Sequence, residues 1–356
     1  MPSANAANPA NPAAPSASPA TPSASPASDS ALYLVTGAAG FVGSFMVKHL
    51  LAEGHRVRAM VRSESQVAAL EEQGVEVVLA DLADGESLRR AVDGVKGVYH
   101  IASIFRQSAL SEEVFHDINA EGTRRLLDAA IDAGVERVIH CSTVGVHGHV
   151  KNPPANEEAP YAPGDMYQRT KLDGEKIALE YFRSGKIRGA VIRPAMIYGP
   201  TDTRTRKLIG MVAKGKFFYV GKGKALVHWI DVRDLVTAFF LAMQNDERTG
   251  EVYIISGKRA MPLKEMCEII ASKCEIAPPK LHLPVKPMQW LGTICETICR
   301  PINIEPPIFR RRVDFFTKDR HFDSSKAHAQ LGFVPAQDPE QEIEDILASY
   351  RELGWI

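Results

Sequence analysis

Three glycines spaced three residues apart, Gly37, Gly40 and Gly43, follow the apolar run Leu32–Thr36 and open the helical pattern Phe41–Ala52. No other feature limits the fold of this chain so tightly. The first glycine permits a tight strand-to-helix turn. The second lets backbone approach a pyrophosphate, and the third lets the helix pack close to its strand. Unpaired N–H groups and the positive dipole end of the helix favour an anion there. The expected contacts to a dinucleotide are Gly37, Ala39, Gly40, Phe41, Val42 and Gly43.

Downstream, strand-like and helix-like patterns alternate. Strands are expected at Arg56–Val61, Val75–Leu79, Gly97–Ile101, Arg137–Ser142 and Gly189–Arg193. Helices are expected near Glu64–Gln73, Glu86–Val92, Asn119–Ala133 and Asp165–Phe182. Such alternation implies an α/β fold, a doubly wound Rossmann parallel sheet covered on both faces. Beyond Pro194 the rhythm loosens. Helices are expected at Arg204–Lys214, Asp231–Met243 and Leu263–Lys273, with a strand at Glu251–Ile255, and prolines then crowd the chain. The expected organisation is a Rossmann domain over 31–200, completed by parts of 226–256, and a smaller C-terminal substrate-binding lobe over 201–356.

Composition narrows the class. A chain of 356 residues has ample length for a core, and its net charge of −1 argues against a nucleic-acid partner. Residues 1–30 hold ten Ala, seven Pro and seven Ser, with Asp29 their one charged side chain. That segment buries too little apolar surface to offset its ordering entropy and is expected to be a disordered tail. It lacks the basic and apolar regions of a secretory signal. No run reaches the ~18 apolar residues of a membrane span. Cys141, Cys267, Cys274, Cys295 and Cys299 form no Cys-x-x-Cys pair, so reduced thiols and a cytoplasmic location are expected.

The second strand ends Val61-Arg62-Ser63, without a carboxylate to bond ribose hydroxyls. Arg62 can instead pair with a 2′-phosphate, which favours NADP(H) over NAD(H); a solvated loop charge is the other reading. Asp81, after the third strand, suits the adenine amino group or a helix N-cap. Tyr167 and Lys171 stand four apart at the start of a helix, hence on one face. A phenol near pKa ~10 is a poor base. An ammonium beside it, together with a cationic nicotinamide ring, favours the phenolate. Upstream, the fifth strand ends Cys141-Ser142-Thr143, which offers a hydroxyl to the substrate oxygen.

On these residues the chain resembles an extended short-chain dehydrogenase/reductase of the NAD-dependent epimerase/dehydratase type. The resemblance runs over about residues 31–335. It also rests on Asp81-Leu82, His100-Ile101-Ala102-Ser103, Asn119 with Gly122-Thr123, Arg193-Pro194, Tyr198-Gly199-Pro200 and Ile230–Asp234. It implies Tyr167 as general acid/base, Lys171 as its electrostatic partner and Thr143 as the hydroxyl, with Ser142 the alternative. It implies cofactor contacts at Leu82, Ala102, Ser103, Asn119 and Pro194, besides Tyr167 and Lys171. It also implies a homodimer formed through the helices Asn119–Ala133 and Asp165–Phe182.

Nucleotide-sugar members of the family carry a Gln and an Arg where this chain has Ala225 and Val227 in Gly221–Val227, which removes a bidentate phosphate ligand. Lys222 and Lys224 remain as point charges or as solvated loop residues. Met288, Leu291, Ile294, Cys295 and Ile298 recur at helical spacing beside Trp290. The main expectation for them is a core-facing helix; a pocket wall or a peripheral membrane contact are the others. The runs Arg310–Arg312, His321–Ala327 and Leu331–Pro335 resemble the 3β-hydroxysteroid dehydrogenase and sterol C4-decarboxylase branch. The leading expectation is therefore a dehydrogenase or reductase acting on a lipophilic, sterol-like small molecule. A sugar epimerase or dehydratase is the alternative, and a non-catalytic dinucleotide sensor a third. The resemblance implies a pocket position for His147, where many relatives place a pocket-lining Tyr, and His140, His147 and His149 lack the partners of a metal site.

Overall fold

The computed structural model describes residues 30–105, 110–299 and 316–356. Residues Ala31–Ile356 form one compact unit. Its centre is a seven-stranded sheet. The strands are β1 (Leu32–Thr36), β2 (Arg56–Val61), β3 (Glu76–Leu79), β4 (Gly97–His100), β5 (Arg137–Cys141), β6 (Arg188–Pro194) and β10 (Glu251–Ile255). Their order is β10-β6-β5-β4-β1-β2-β3, and every pair is parallel. The order reverses between β1 and β4, and the crevice beyond the strand ends at such a point is where doubly wound sheets bind ligands. Strands covered on both faces read as unbroken apolar runs; β1, Leu-Tyr-Leu-Val-Thr, is buried throughout.

One face of the sheet is covered by α1 (Phe41–Ala52) and α8 (Val232–Gln244), through Met46, Leu50, Leu235 and Phe239. The other is covered by α3 (Gly85–Val92), α5 (Gly122–Asp132) and α6 (Met166–Arg183), through Leu88, Leu126, Ile177 and Phe182. Beyond β6, the strands β7 (Met196–Tyr198), β9 (Leu226–Asp231) and β11 (Ala260–Pro262) make a three-stranded sheet. Of the 226–256 stretch, only β10 joins the main sheet. A third core under α9 (Leu263–Lys273) and α12 (Pro339–Glu352) gathers Tyr198, Trp229, Ile270, Ile346 and Tyr350.

Three elements depart from expectation. The helix expected from Asn119 begins at Glu112: α4 (Glu112–His116) runs through a π-turn, Asp117–Glu121, into α5. Its first turn is too charged to show an apolar stripe, although Phe115 is buried. The helix expected over Glu64–Gln73 shrinks to a 3-10 turn and α2 (Val67–Glu71), in which Leu70 alone is buried. The third departure is α10 (Val285–Cys299). Met288 is buried against Val220, but Trp290 is 77 % exposed, and Leu291 and Ile294 are about half exposed. The expectation of a core-facing stripe is corrected: among the described residues Met288 packs on Val220, while Trp290, Leu291 and Ile294 stay exposed. Arg310–Arg312 lie outside the described residues. Among the described residues no helix is long and apolar enough to cross a membrane.

Candidate active site

The glycine turn is built by close approach. Gly37 has φ +69, and a Cβ there would sit 3.0 Å from the Ala102 Cα. A Cβ on Gly43 would lie 2.1 Å from the Gly37 carbonyl oxygen, so only glycine lets α1 start this close to its strand. Gly40 is the N-cap and brings no capping side chain, which leaves the amides at the start of α1 without a side-chain partner. Ala39 and Gly40 are exposed, Phe41 is half-buried, and Val42 and Gly43 are buried.

A hydrogen-bond chain missing from the sequence reading ties this turn to the neighbouring strand ends. The buried Thr36 hydroxyl oxygen accepts from the Ile101 and Ala102 amides, both at 3.0 Å. With those lone pairs used, its O–H donates to His100 Nδ1 at 3.0 Å. His100 Nε2–H then donates to Thr123 Oγ1 at 3.0 Å, and Thr123 donates to the Asn119 carbonyl at 2.9 Å. Burial first, and the Lys171 charge second, push His100 down to about 3, so it is neutral as this pattern requires. Ala102 is half-buried and Ser103 exposed beside the turn.

Asn119 acts as a brace. Its Oδ1 accepts from the Ile104 amide at 2.8 Å, and its Nδ2 donates to the Ile104 carbonyl and Thr170 Oγ1. It thereby joins the segment after β4 to α6. Gly174 on α6 meets the π-turn so closely that a Cβ would lie 2.3 Å from the Asn119 carbonyl oxygen.

The helix α6 starts at its N-cap Asp165, whose carboxylate accepts from the Gln168 amide at 2.9 Å. Its first turns carry Tyr167, half-buried with its ring 4.8 Å edge-on from Phe105, and Lys171, 2 % exposed. Burial is the main influence on both. It pushes the Tyr167 phenol up, helped by the Cys141 thiol and opposed by the Arg204 charge and a Ser103 hydrogen bond. It pulls Lys171 down, opposed by Cys141 and Glu175. In the protein alone the phenol is therefore shifted opposite to the expected direction, because the expected shift includes the charge of a nicotinamide ring, which the chain does not supply.

Thr143 and Ser142 part company. Thr143 is half-buried and accepts from the Gly145 amide at 3.0 Å, capping the 3-10 turn Val144–His147. Ser142 is buried, and its hydroxyl donates to Glu175. Glu175 lies one turn beyond Lys171, so Tyr167, Lys171 and Glu175 share a helix face. That spacing was readable in the sequence and was missed. Glu175 pairs with Arg193, which precedes the buried Pro194 that ends β6. His147 is 3 % exposed, accepts from Arg193 at 2.9 Å and stacks on Tyr161. It belongs to this buried network, which corrects the expectation that it lines a pocket. Arg204 was also missed: it is paired to Asp202, and its guanidinium lies 4.7 Å over the Phe41 ring at the start of α1.

The remaining expected positions lie farther along the same edge of the sheet. Arg62 is exposed beyond β2, with no ion-pair partner among the described residues. Asp81 accepts from the Ala83 amide at 2.9 Å, while Asp84 caps α3, so the N-cap alternative for Asp81 is excluded. Leu82 is buried where Gly122 packs on it. A separate cleft of 350 Å³ between α1 and α8, lined by Lys48, His49, Arg233 and Asp234 among others, shares no residue with this site.

Comparison with known proteins matches this arrangement to a family. The model of the NAD dependent epimerase/dehydratase family matches residues 33–256. Sterol demethylase protein B of Methylococcus capsulatus is 32 % identical over 333 residues, covering 91 % of this chain and 99 % of that protein. A 3 beta-hydroxysteroid dehydrogenase/Delta 5→4-isomerase of Mycobacterium tuberculosis is 29 % identical, covering 90 % of each chain. A dTDP-glucose 4,6-dehydratase of Streptomyces venezuelae, solved with NAD bound, has a TM-score of 0.73 at 24 % identity, covering 91 % of this chain and 98 % of that one. The chain therefore belongs to the NAD dependent epimerase/dehydratase family, as an enzyme of the extended short-chain dehydrogenase/reductase type in the branch of the 3β-hydroxysteroid dehydrogenases.

Proposed function

We propose that the chain is an NAD(P)-dependent oxidoreductase that interconverts a secondary alcohol and a ketone on a lipophilic, sterol-like substrate. The observation that carries this reading is the shared face of Tyr167 and Lys171 on α6. It stands at the same strand-end edge as Thr143 and the uncapped start of α1. Relatives named for sterol and hydroxysteroid chemistry support the substrate class.

The amides of Phe41, Val42 and Gly43, with the close approach at Gly37, fit a pyrophosphate. Gly40, Ala39, Asp81, Leu82, Ala102, Ser103, Asn119 and Pro194 complete the proposed cofactor contacts. The bound dinucleotide supplies the hydride acceptor or donor. Tyr167 moves a proton at its Oη, Thr143 orients the substrate oxygen, and Lys171 favours the phenolate and holds the ribose. Ser142 is already committed to Glu175, which supports Thr143 as the working hydroxyl. The exposed Arg62, with no carboxylate ending β2, supports NADP(H) over NAD(H).

In this reading residues 201–356 are mainly the substrate lobe, α5 and α6 form a homodimer interface, and the protein is cytoplasmic. The exposed Trp290, Leu291 and Ile294 support peripheral contact with a membrane.

The test is reduced-nicotinamide absorbance with NADP⁺ or NAD⁺ and a panel of hydroxysterols, other lipophilic alcohols and sugar nucleotides. Turnover of an apolar alcohol, preferring NADP⁺, is expected. Tyr167→Phe should bind cofactor but lose at least 10²-fold in kcat, roughly the contribution of a positioned acid/base. Retained activity in that variant, or activity on sugar nucleotides alone, refutes the assignment.

A further inference from the structure

We propose that Glu175 and Arg193 are positioning residues, a buried ion pair that holds Lys171 and Thr143 in working order. This inference rests on the functional reading above for its purpose, not for its test.

The pair is sealed from water, with the side chains of Arg193 and Glu175 only 1 % and 0 % exposed. Every N–H donor of Arg193 is used. Nε donates to Glu175 Oε2 at 3.0 Å, and Nη2 donates to Glu175 Oε1 and to Tyr161 Oη at 2.8 Å. Nη1 donates to His147 Nε2 at 2.9 Å and to the Glu157 carbonyl at 3.0 Å. Because His147 Nε2 accepts, its proton sits on Nδ1, which faces the Pro160 carbonyl at 3.3 Å. Burial and the Arg193 charge both hold His147 neutral. Glu175 in turn receives the Ser142 hydroxyl and, at 3.3 Å, the Tyr161 hydroxyl.

Stability alone does not account for such a pair. Desolvation of two charges largely offsets their attraction, and apolar replacements of similar volume are often as stable. What the pair joins is more specific. Ser142 immediately precedes Thr143, and His147 ends the turn that Thr143 caps. Glu175 follows Lys171 by one helical turn, and Arg193 precedes Pro194 at the end of β6. One guanidinium thus ties the ends of β5 and β6 to the catalytic face of α6. The pair also acts on charge. Lys171 is buried, and Glu175 is the carboxylate that opposes the loss of its ammonium. Four donors face that carboxylate: Arg193 Nε and Nη2, and the Ser142 and Tyr161 hydroxyls. Arg193 keeps it ionised, because a buried carboxyl so surrounded gains nothing from a proton.

The test is the ionisation of Lys171 in the free protein, followed by NMR of ¹³Cε-labelled lysine and assigned with Lys171→Arg. No cofactor or substrate is needed. Glu175→Gln keeps shape and removes charge; it should move the Lys171 titration down by about one pH unit or more, a tenfold change in its protonation constant. Glu175→Gln strands the Arg193 charge and can unfold the chain, so the double variant Glu175→Gln/Arg193→Gln is measured beside it, with a smaller shift in the same direction expected because the nearby positive charge is removed as well. In turnover, kcat should fall at least tenfold with the KM for cofactor nearly unchanged, and the alkaline limb of the pH profile should move down with the NMR titration. Ser142→Ala, which keeps the pair, should lower kcat without moving that limb. A Lys171 titration that superimposes on wild type in a folded variant overturns the proposal. An absence of turnover in wild type, with the NMR shift intact, overturns the functional reading instead.

Discussion

Glu342 on α12 offers a sharp test of how the C-terminal helix is held. The residue is 2 % exposed. Tyr198, at the end of β7, donates to its Oε2, and its Oε1 is buried without a hydrogen-bond partner among the described residues. Burial pushes its carboxyl from 4.5 up to about 7, helped by Asp231 and Asp234 and opposed by the Tyr198 hydrogen bond and Arg233. The folded chain therefore holds a proton that the unfolded chain releases between these two values. Stability is full below about pH 4.5, falls as pH rises toward 7, and is flat above. At ~1.4 kcal/mol per unit, the loss across that window is about 3 kcal/mol. Glu342→Gln is neutral at every pH and removes the slope. An unfolding entropy of about 2 cal/mol/K per residue converts 3 kcal/mol into roughly 4–5 °C for a unit of this size. Thermal melts of both proteins from pH 4.5 to 8 should diverge by about that amount, with the variant gaining relative to wild type as pH rises. The absolute offset also contains the fit of the amide, so the change in the difference is the quantity that matters. Parallel curves would mean that Glu342 is ionised in the folded chain, and the reasoning would fail.

Two further outcomes follow from packing. Gly174→Ala places a methyl 2.3 Å from the Asn119 carbonyl oxygen. Overpacking of this kind costs about 1–3 kcal/mol, and because α6 moves with it, kcat should drop more than cofactor affinity; a thermal melt and steady-state kinetics read both. Trp290→Ser, at a side chain 77 % exposed, should change stability by no more than about 0.5 kcal/mol, and a larger loss in a denaturant melt would show that α10 packs against something in solution.

The glycine turn and the Tyr167/Lys171 face were legible because each lies within a few residues of the chain. A strand followed by glycines and a helix, or two side chains four apart on a helix, carries its geometry in its spacing. The same logic gave the alternation that becomes the parallel sheet. It missed the first turn of the helix at Glu112, where charge masks the apolar stripe. It placed the apolar residues of α10 in the core, although periodicity states that a helix has an apolar side and never what lies against it.

The sequence by itself determined the doubly wound class, the uncapped helix start after β1, and the face that pairs a phenol with an ammonium. Only the tertiary structure decided that Ser142 is spent on Glu175 while Thr143 is left half-buried, that His147 supports Arg193, and that Thr36, His100 and Thr123 chain the turn to Asn119. Except for Thr123 and Asn119, these partners lie tens of residues apart and meet because the sheet sets β5 between β4 and β6, and β1 beside β4. Burial there makes every unpaired donor costly, so the hydrogen bonds close on one pattern that no local stretch of sequence contains.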